Sequence, residues 1–433
     1  MIISERDKRI IWHPFTQEKT AAKVISVKRA QGCYLYDEND KAYLDLISSW
    51  WVNLHGHAHP EIAKSIYEQA KLLEHVIFAG FTHEPAVNLC ESLQTILPSD
   101  LCKFFFSDNG STAVEVALKM AYQYWRNLGV QEKTTFLSFD GGYHGDTFGA
   151  MSVGAKSGFH NQFKDLLFNV LSVPYPDTWD DDSEVELKEQ KAINVLKRYL
   201  DDHHHKIAAI ILEPLIQGAS GMRICRPGFI KEVIALARQK DILVIFDEIM
   251  TGFGRTGTYF ALEQLHITPD FLCVSKGITG GFLPLALTIT NNKVYEAFLG
   301  DDFNTAFAHG HSYTANPLAC SAAIASLRLL KSPKCQNAIK NINEMHQKGI
   351  DILKLQCSSV EKTRVVGTIA AFDIKDSAHL MPSLKQQFFE QGMLLRPLGN
   401  TVYLLPPYCI TNEEVELVYG RIANIINKQA TLI

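Results

Sequence analysis

Leu243-Val-Ile-Phe-Asp247-Glu248-Ile-Met-Thr-Gly252-Phe-Gly254-Arg255-Thr-Gly257, followed by Pro269-Asp-Phe-Leu-Cys-Val-Ser275-Lys276-Gly277, is the stretch that decides the fold. Two short apolar runs each end in a reactive side chain, a carboxylate at Asp247 and an amine at Lys276. Apolar runs of this length, bounded by turn residues, read as strands buried on both faces of a parallel sheet. Charges at strand ends also cap helices or face solvent in any α/β protein, so the pair acquires meaning only from the rest of the chain.

Working outward, further strands are expected over Phe104–Phe106, Thr134–Phe139, Ala208–Leu212 and Leu285–Ile289, with a helix over Ala113–Leu128 whose Val114, Ala117, Leu118, Ala121 and Trp125 share one face. This alternation predicts an α/β fold with a mostly parallel central sheet flanked by helices. Strand–turn–strand patterning over Val24–Leu46, strands at Gly367–Asp373 and Thr401–Leu405, and helices near Met381–Gln391 and Asn412–Lys428 predict a smaller α+β unit drawn from both termini. The expected division is residues 1–60 as an arm and part of the small domain, 61–316 as the large domain, and 317–433 as a linking helix with the rest of the small domain.

The chain has 433 residues, 46% of them hydrophobic and 21% charged, with a net charge of -5. That balance argues against a nucleic-acid partner, whose sites need a basic face. It contains no apolar run long enough for a membrane span. The charged N-terminal decapeptide does not read as a signal peptide, and nine scattered cysteines with no CxxC pair suit a reduced, cytoplasmic protein. No metal site is expected: adjacent residues His203, His204 and His205 diverge on a helix and read as a solvated helix end.

Three more segments follow strands. In Ser107-Asp-Asn-Gly110-Ser111-Thr112, the glycine and the first free amides of a helix can hold a phosphate, although the same residues are ordinary N-caps. In Gly141-Gly142-Tyr143-His144-Gly145, a tight loop can lay an aromatic ring against a flat ligand or simply bury a tyrosine in a turn. Glu213-Pro214 adds another polar group at a strand end. Strand carboxyl ends are where open α/β sheets bind ligands. A phosphate loop, an aromatic, an acid and a lysine together are what pyridoxal phosphate requires: the lysine forms a Schiff base and the acid keeps the pyridine nitrogen protonated.

These motifs, above all Asp247–Gly257 and Ser275-Lys-Gly-Ile-Thr-Gly-Gly281, resemble the class III aminotransferases of the fold-type I pyridoxal phosphate enzymes, over essentially the whole chain. Trp12-His-Pro-Phe15-Thr16 and Ser48-Ser-Trp50-Trp51-Val-Asn-Leu-His55-Gly-His57-Ala-His59-Pro60 are similar to the branch that converts 8-amino-7-oxononanoate to 7,8-diaminononanoate in biotin synthesis.

The resemblance implies a homodimer with sites at the subunit interface, ping-pong transamination, and S-adenosylmethionine or lysine as donor, the former favoured. It implies Lys276 as Schiff-base lysine and proton shuttle, Asp247 against the pyridinium nitrogen, Gly110 and Ser111 at the phosphate, and Tyr143 stacked on the ring. His311 and Ser312 would reach the phosphate of the other subunit. Trp50, Trp51, Tyr143, Lys276, Gly310, Arg396 and Phe15 would contact substrate, with Arg396 gripping a carboxylate. Arg255 is expected to structure the loop after Asp247. Phe15 replaces the family's usual tyrosine, His311 its proline and Ser312 its threonine. Two other readings are an ω-aminotransferase for 4-aminobutyrate, ornithine or diamines, and a cofactor-binding protein without turnover.

Overall fold

A computed structural model describes residues 2–154, 158–375 and 381–430. An N-terminal antiparallel unit of β1 (Val27–Gln31), β2 (Tyr34–Asp37) and β3 (Ala42–Asp45) comes first. The large sheet follows, with β4 (Lys103–Ser107), β5 (Thr135–Phe139), β6 (Val170–Val173) and β7 (Ile207–Leu212). After a small ribbon of β8 (Ile216–Gln217) and β9 (Arg223–Ile224), it is completed by β10 (Leu243–Asp247), β11 (Phe271–Val274) and β12 (Ala286–Thr290). The C-terminal region contributes β13 (Val360–Val366), β14 (Ile369–Ile374), β15 (Met393–Leu394) and β16 (Thr401–Leu404).

The seven strands of the large sheet run in the order β4-β12-β11-β10-β7-β5-β6. Every pair from β11 to β6 is parallel, while β12 runs antiparallel to both neighbours, so the sheet is mostly parallel. Every residue of β7 and β10 is buried, as the apolar runs Ile207–Leu212 and Leu243–Phe246 require. Because β12 reverses between β4 and β11, the carboxyl ends of β4, β5, β7, β10 and β11 open on one edge.

One smaller sheet joins both ends of the chain, since β3 pairs in parallel with β15, while the C-terminal β13-β14-β16 form a separate antiparallel sheet. The single strand expected at Gly367–Asp373 is half of a hairpin, with β13 as its partner. The polar residues of β13 masked its alternation. A 24-residue helix, Pro333–Gln356, was also missed by sequence reading; it starts at Ser332, which caps the Cys335 amide directly after helix Pro317–Lys331. All nine cysteines are free thiols. No helix among the described residues is long and apolar enough to cross a membrane.

Candidate active site

A cavity of about 210 Å³ lies at the shared strand edge, lined among others by Trp51, Gly110, Ser111, Tyr143, Asp247 and Lys276. Parallel pairing of β10 with β11 sets Asp247 opposite Cys273, three residues before Lys276, which brings the acid and the amine to one rim. Lys276 has left-handed backbone (φ 46°), and its amine lies 4.5 Å from the centre of the Trp51 ring. It makes no ion pair with a described residue. Burial pushes its pKa down, against the opposing pull of Asp247, Glu213 and Asp146.

Asp247 is buried, and its two oxygens are both engaged. One accepts from the Ile249 amide at 3.1 Å; the other lies 2.7 Å from Nδ1 of His144, which is also buried. Burial alone would drive the imidazole neutral. The Asp247 hydrogen bond and charge, helped by Glu213, outweigh it and raise the His144 pKa. Glu213 accepts from the backbone amides of Tyr143 and Gly218, each at 3.0 Å, and burial pushes its pKa up to about 7. Sequence reading marked the segments holding His144 and Glu213 without giving either residue a role. Their signal was position: each follows a parallel strand at the ligand-binding edge.

Helix Gly110–Asn127 aims its N-terminus at the cavity. Asn109 caps the Thr112 amide at 3.1 Å, leaving the amides of Gly110 and Ser111 as the first two of the helix, which have no intrahelical acceptor. The Ser111 hydroxyl accepts from the Asp146 amide at 2.7 Å. Gly145 has φ 124°, and a Cβ there would fall 1.9 Å from the Ser111 oxygen, so only glycine lets this loop approach the helix.

Tyr143 is held from behind. Its hydroxyl donates to Asp146 at 2.9 Å, and its ring stacks on His160 with centroids 5.7 Å apart. His160 also bonds Asp146, at 3.1 Å.

Trp50 and Trp51 stand on an unusual turn. Ser48, Ser49, Trp50 and Trp51 all have positive φ, 50°, 45°, 71° and 74°, one turn of left-handed helix that costs L-residues roughly 1–2 kcal/mol each. Arg255 braces its end: the buried guanidinium donates to the carbonyls of Trp51, Asn53 and Pro406. The loop expectation for Arg255 thus needs widening, because its contacts lie on the tryptophan turn and the C-terminal segment. The Trp51 indole N–H donates to the Tyr403 hydroxyl at 3.1 Å. The exposed Trp50 ring meets Phe15 edge-on at 5.5 Å and carries the Arg396 guanidinium 4.1 Å above it.

The structure therefore brings Lys276, Asp247, Tyr143, Gly110, Ser111 and Trp51 to one cavity, with Trp50, Phe15 and Arg396 beside it. Gly310, His311 and Ser312 are not among the residues that line it. They lie in a loop whose His309 reaches Lys119 at 3.0 Å, and Gly310 and Ser312 are exposed. This loop packs against helix Gly110–Asn127 through His309.

The sequence model of the family described as aminotransferase class-III matches residues 15–426. The chain belongs to the class III aminotransferases. Enzymes of this family use pyridoxal phosphate, and the chain has their fold-type I architecture. It is 49% identical to the adenosylmethionine-8-amino-7-oxononanoate aminotransferase of Synechococcus elongatus, over 96% of this chain and 98% of that protein. The crystal structure of the enzyme of that name from Methanocaldococcus jannaschii superposes with a TM-score of 0.91 at 35% identity, covering 98% of both chains. An ω-transaminase from Pseudomonas jessenii, solved in complex with PMP, reaches a TM-score of 0.93 at 25% identity over 100% of this chain and 99% of its own. Backbone shape is thus common to the class III aminotransferases of both names, while sequence identity favours one branch.

Proposed function

We propose that this chain transfers an amino group to 8-amino-7-oxononanoate, giving 7,8-diaminononanoate for biotin synthesis, with S-adenosylmethionine as donor. The observation that carries the chemistry is Lys276, a desolvated amine without a salt-bridge partner among the described residues, facing the same cavity as the buried Asp247–His144 pair. The full-length identity to relatives bearing that enzyme's name supports the substrate.

The cavity fits pyridoxal phosphate by its donor set: two helix N-terminal amides for a dianion, a space kept open by Gly145, and a buried carboxylate for a ring N–H. When bound, the cofactor supplies an aldehyde for the amine and an electron-withdrawing ring. Gly110 and Ser111 hold the phosphate, and Tyr143 covers the ring. Asp247, paired with His144 at 2.7 Å, would bind the ring nitrogen. Lys276 uses its lowered proton affinity to take a proton from the substrate's α-carbon and deliver it again. Trp50 and Trp51 wall the path of a long aliphatic acceptor, Phe15 contacts the donor, and Arg396 receives the keto acid's carboxylate as a guanidinium fork.

Residues 61–316 form the cofactor-binding domain in this reading, with 1–60 and 317–433 supplying the smaller one. The working enzyme is a cytoplasmic homodimer in which Gly310, His311 and Ser312 serve the partner's site; none of the three lines the cavity described above.

The test is a pair of half-reactions. Cofactor-loaded protein should lose its visible absorption band on adding S-adenosylmethionine and regain it on adding 8-amino-7-oxononanoate. Bleaching by lysine alone would change the donor. A response to 4-aminobutyrate, ornithine or diamines without use of the keto acid would make the chain an ω-aminotransferase. A band unmoved by every amine would leave a binding protein only.

A further inference from the structure

Trp51, which lines the cavity, and its neighbour Trp50 hang from a backbone turn that L-residues resist, so some group must hold that turn in place. The fully buried carboxylate of Asp45, at the end of β3, bonds to it. One Asp45 oxygen accepts from the Ile47 amide at 3.2 Å, the residue whose carbonyl starts the turn. The other accepts from the Ser49 hydroxyl at 2.7 Å and from Nε2 of His57 at 2.9 Å. With Nε2–H donating to Asp45, Nδ1 of His57 accepts from the Asn53 amide group at 3.2 Å, and the Asn53 carbonyl accepts from the Gly56 amide at 2.8 Å. The chain from 47 to 57 is therefore knotted onto one carboxylate.

The strand that carries Asp45 also pairs with the segment leading to Arg396. β3 pairs in parallel with β15, setting Asp45 opposite Leu394, two residues before Arg396. Arg396 in turn lies 4.1 Å above the Trp50 ring. Movement of Asp45 would displace the indole and the guanidinium relative to each other, while Asp247, His144 and Lys276 stand on the large sheet and would keep their places.

We infer that Asp45, acting through Ser49 and His57, is a positioning residue that sets the Trp50–Arg396 wall and so governs affinity for the amino acceptor. The inference rests on the functional reading above. Its signature is a split: KM for 8-amino-7-oxononanoate rises while kcat and cofactor absorbance hold. Loss of one hydrogen bond to a charged group predicts about a tenfold or larger rise in KM for Asp45→Asn, with kcat within about threefold of the parent.

Ser49 supplies a sharper test should Asp45→Asn fail to fold. Ser49→Ala loses the hydroxyl and keeps a Cβ in left-handed backbone, whereas Ser49→Gly loses the hydroxyl and adopts φ 45° freely. KM should rise in the alanine variant and return toward the parental value in the glycine variant. The near-UV circular dichroism of the indoles should follow the same order. A parental enzyme that ignores the keto acid would refute the functional reading; the same KM comparison is then made with the amine it does use. An active parent whose Asp45→Asn or Ser49→Ala variant keeps KM and indole dichroism, or whose alanine and glycine variants are equally impaired, would overturn the inference.

Discussion

Replacing His144 tests the electrostatic core of the site. His144 and Asp247 are both buried, with 2.7 Å between Nδ1 and the carboxylate oxygen. Unit charges about 4 Å apart in a medium of effective dielectric about 20 attract by about 4 kcal/mol. Truncating one member of such a buried pair typically costs about 3–5 kcal/mol, since the survivor is left without its partner. His144→Ala should therefore lower the apparent unfolding free energy of the cofactor-free protein by about 3 kcal/mol or more near pH 6.

The loss should also depend on pH with a defined sign. The folded-state pKa of His144 lies above its usual 6.5, so its charge-linked stabilisation is complete below pH 6.5 and fades as pH rises through the folded value. The gap between parent and variant should narrow toward about 1 kcal/mol at high pH, where only a neutral hydrogen bond remains. His144→Asn, which offers an N–H without a charge, should lack the pH-dependent part. Urea titrations at a series of pH values provide the assay, with cofactor dissociation constants alongside, expected to rise about tenfold or more. A gap that stays below about 1 kcal/mol and flat from pH 6 to 9 would refute the idea that a charged His144 is paired with Asp247.

Lys276→Ala should abolish the borohydride-reducible adduct with the cofactor and lower kcat by about 10²-fold or more; retention of the adduct, read by peptide mass, would move the linkage to another lysine. Glu213 has its folded pKa raised to about 7, so between about pH 4.5 and 7 folding holds a proton that the unfolded chain releases, and stability from this group falls as pH rises through that window. Glu213→Gln should flatten this segment of the pH–stability curve, and an unchanged curve would count against a buried protonated carboxyl. Gly145→Ala should weaken cofactor binding about tenfold or more, because the new Cβ would lie 1.9 Å from the Ser111 oxygen; equilibrium titration with pyridoxal phosphate reads it directly. Arg396→Lys should raise KM for the keto acid about tenfold and leave the donor half-reaction nearly unchanged, since a point charge replaces a two-pronged donor.

Much of the large sheet was legible because its strands are apolar on both faces and end in turn residues. The strands at Leu243–Asp247 and Phe271–Val274 emerge where the sequence predicts them, and parallel neighbours at equal register must deliver Asp247 and Lys276 to the same rim. The Gly110-Ser111 and Tyr143 segments were legible for the same local reason, each being a loop directly after a strand. Less was readable where polar residues or long connections blur periodicity, as in β13 and helix Pro333–Gln356, and the reversed direction of β12 was not readable from its strand pattern.

The sequence by itself determined the sheet, the order of the site's segments and the family, because those depend on hydrophobic period and on short motifs that are local in the chain. Only the tertiary structure decided the partners. His144 meets Asp247 across 103 positions, Arg255 reaches the Pro406 carbonyl across 151, and nothing in the spacing of these residues encodes such contacts. The left-handed conformation of Ser48–Trp51 likewise lies beyond local reading, since no residue there favours positive φ. Distant groups help to impose it: the carbonyl of Leu405 and the Arg255 guanidinium, together with the nearby buried Asp45 carboxylate, outweigh an intrinsic preference that points the other way.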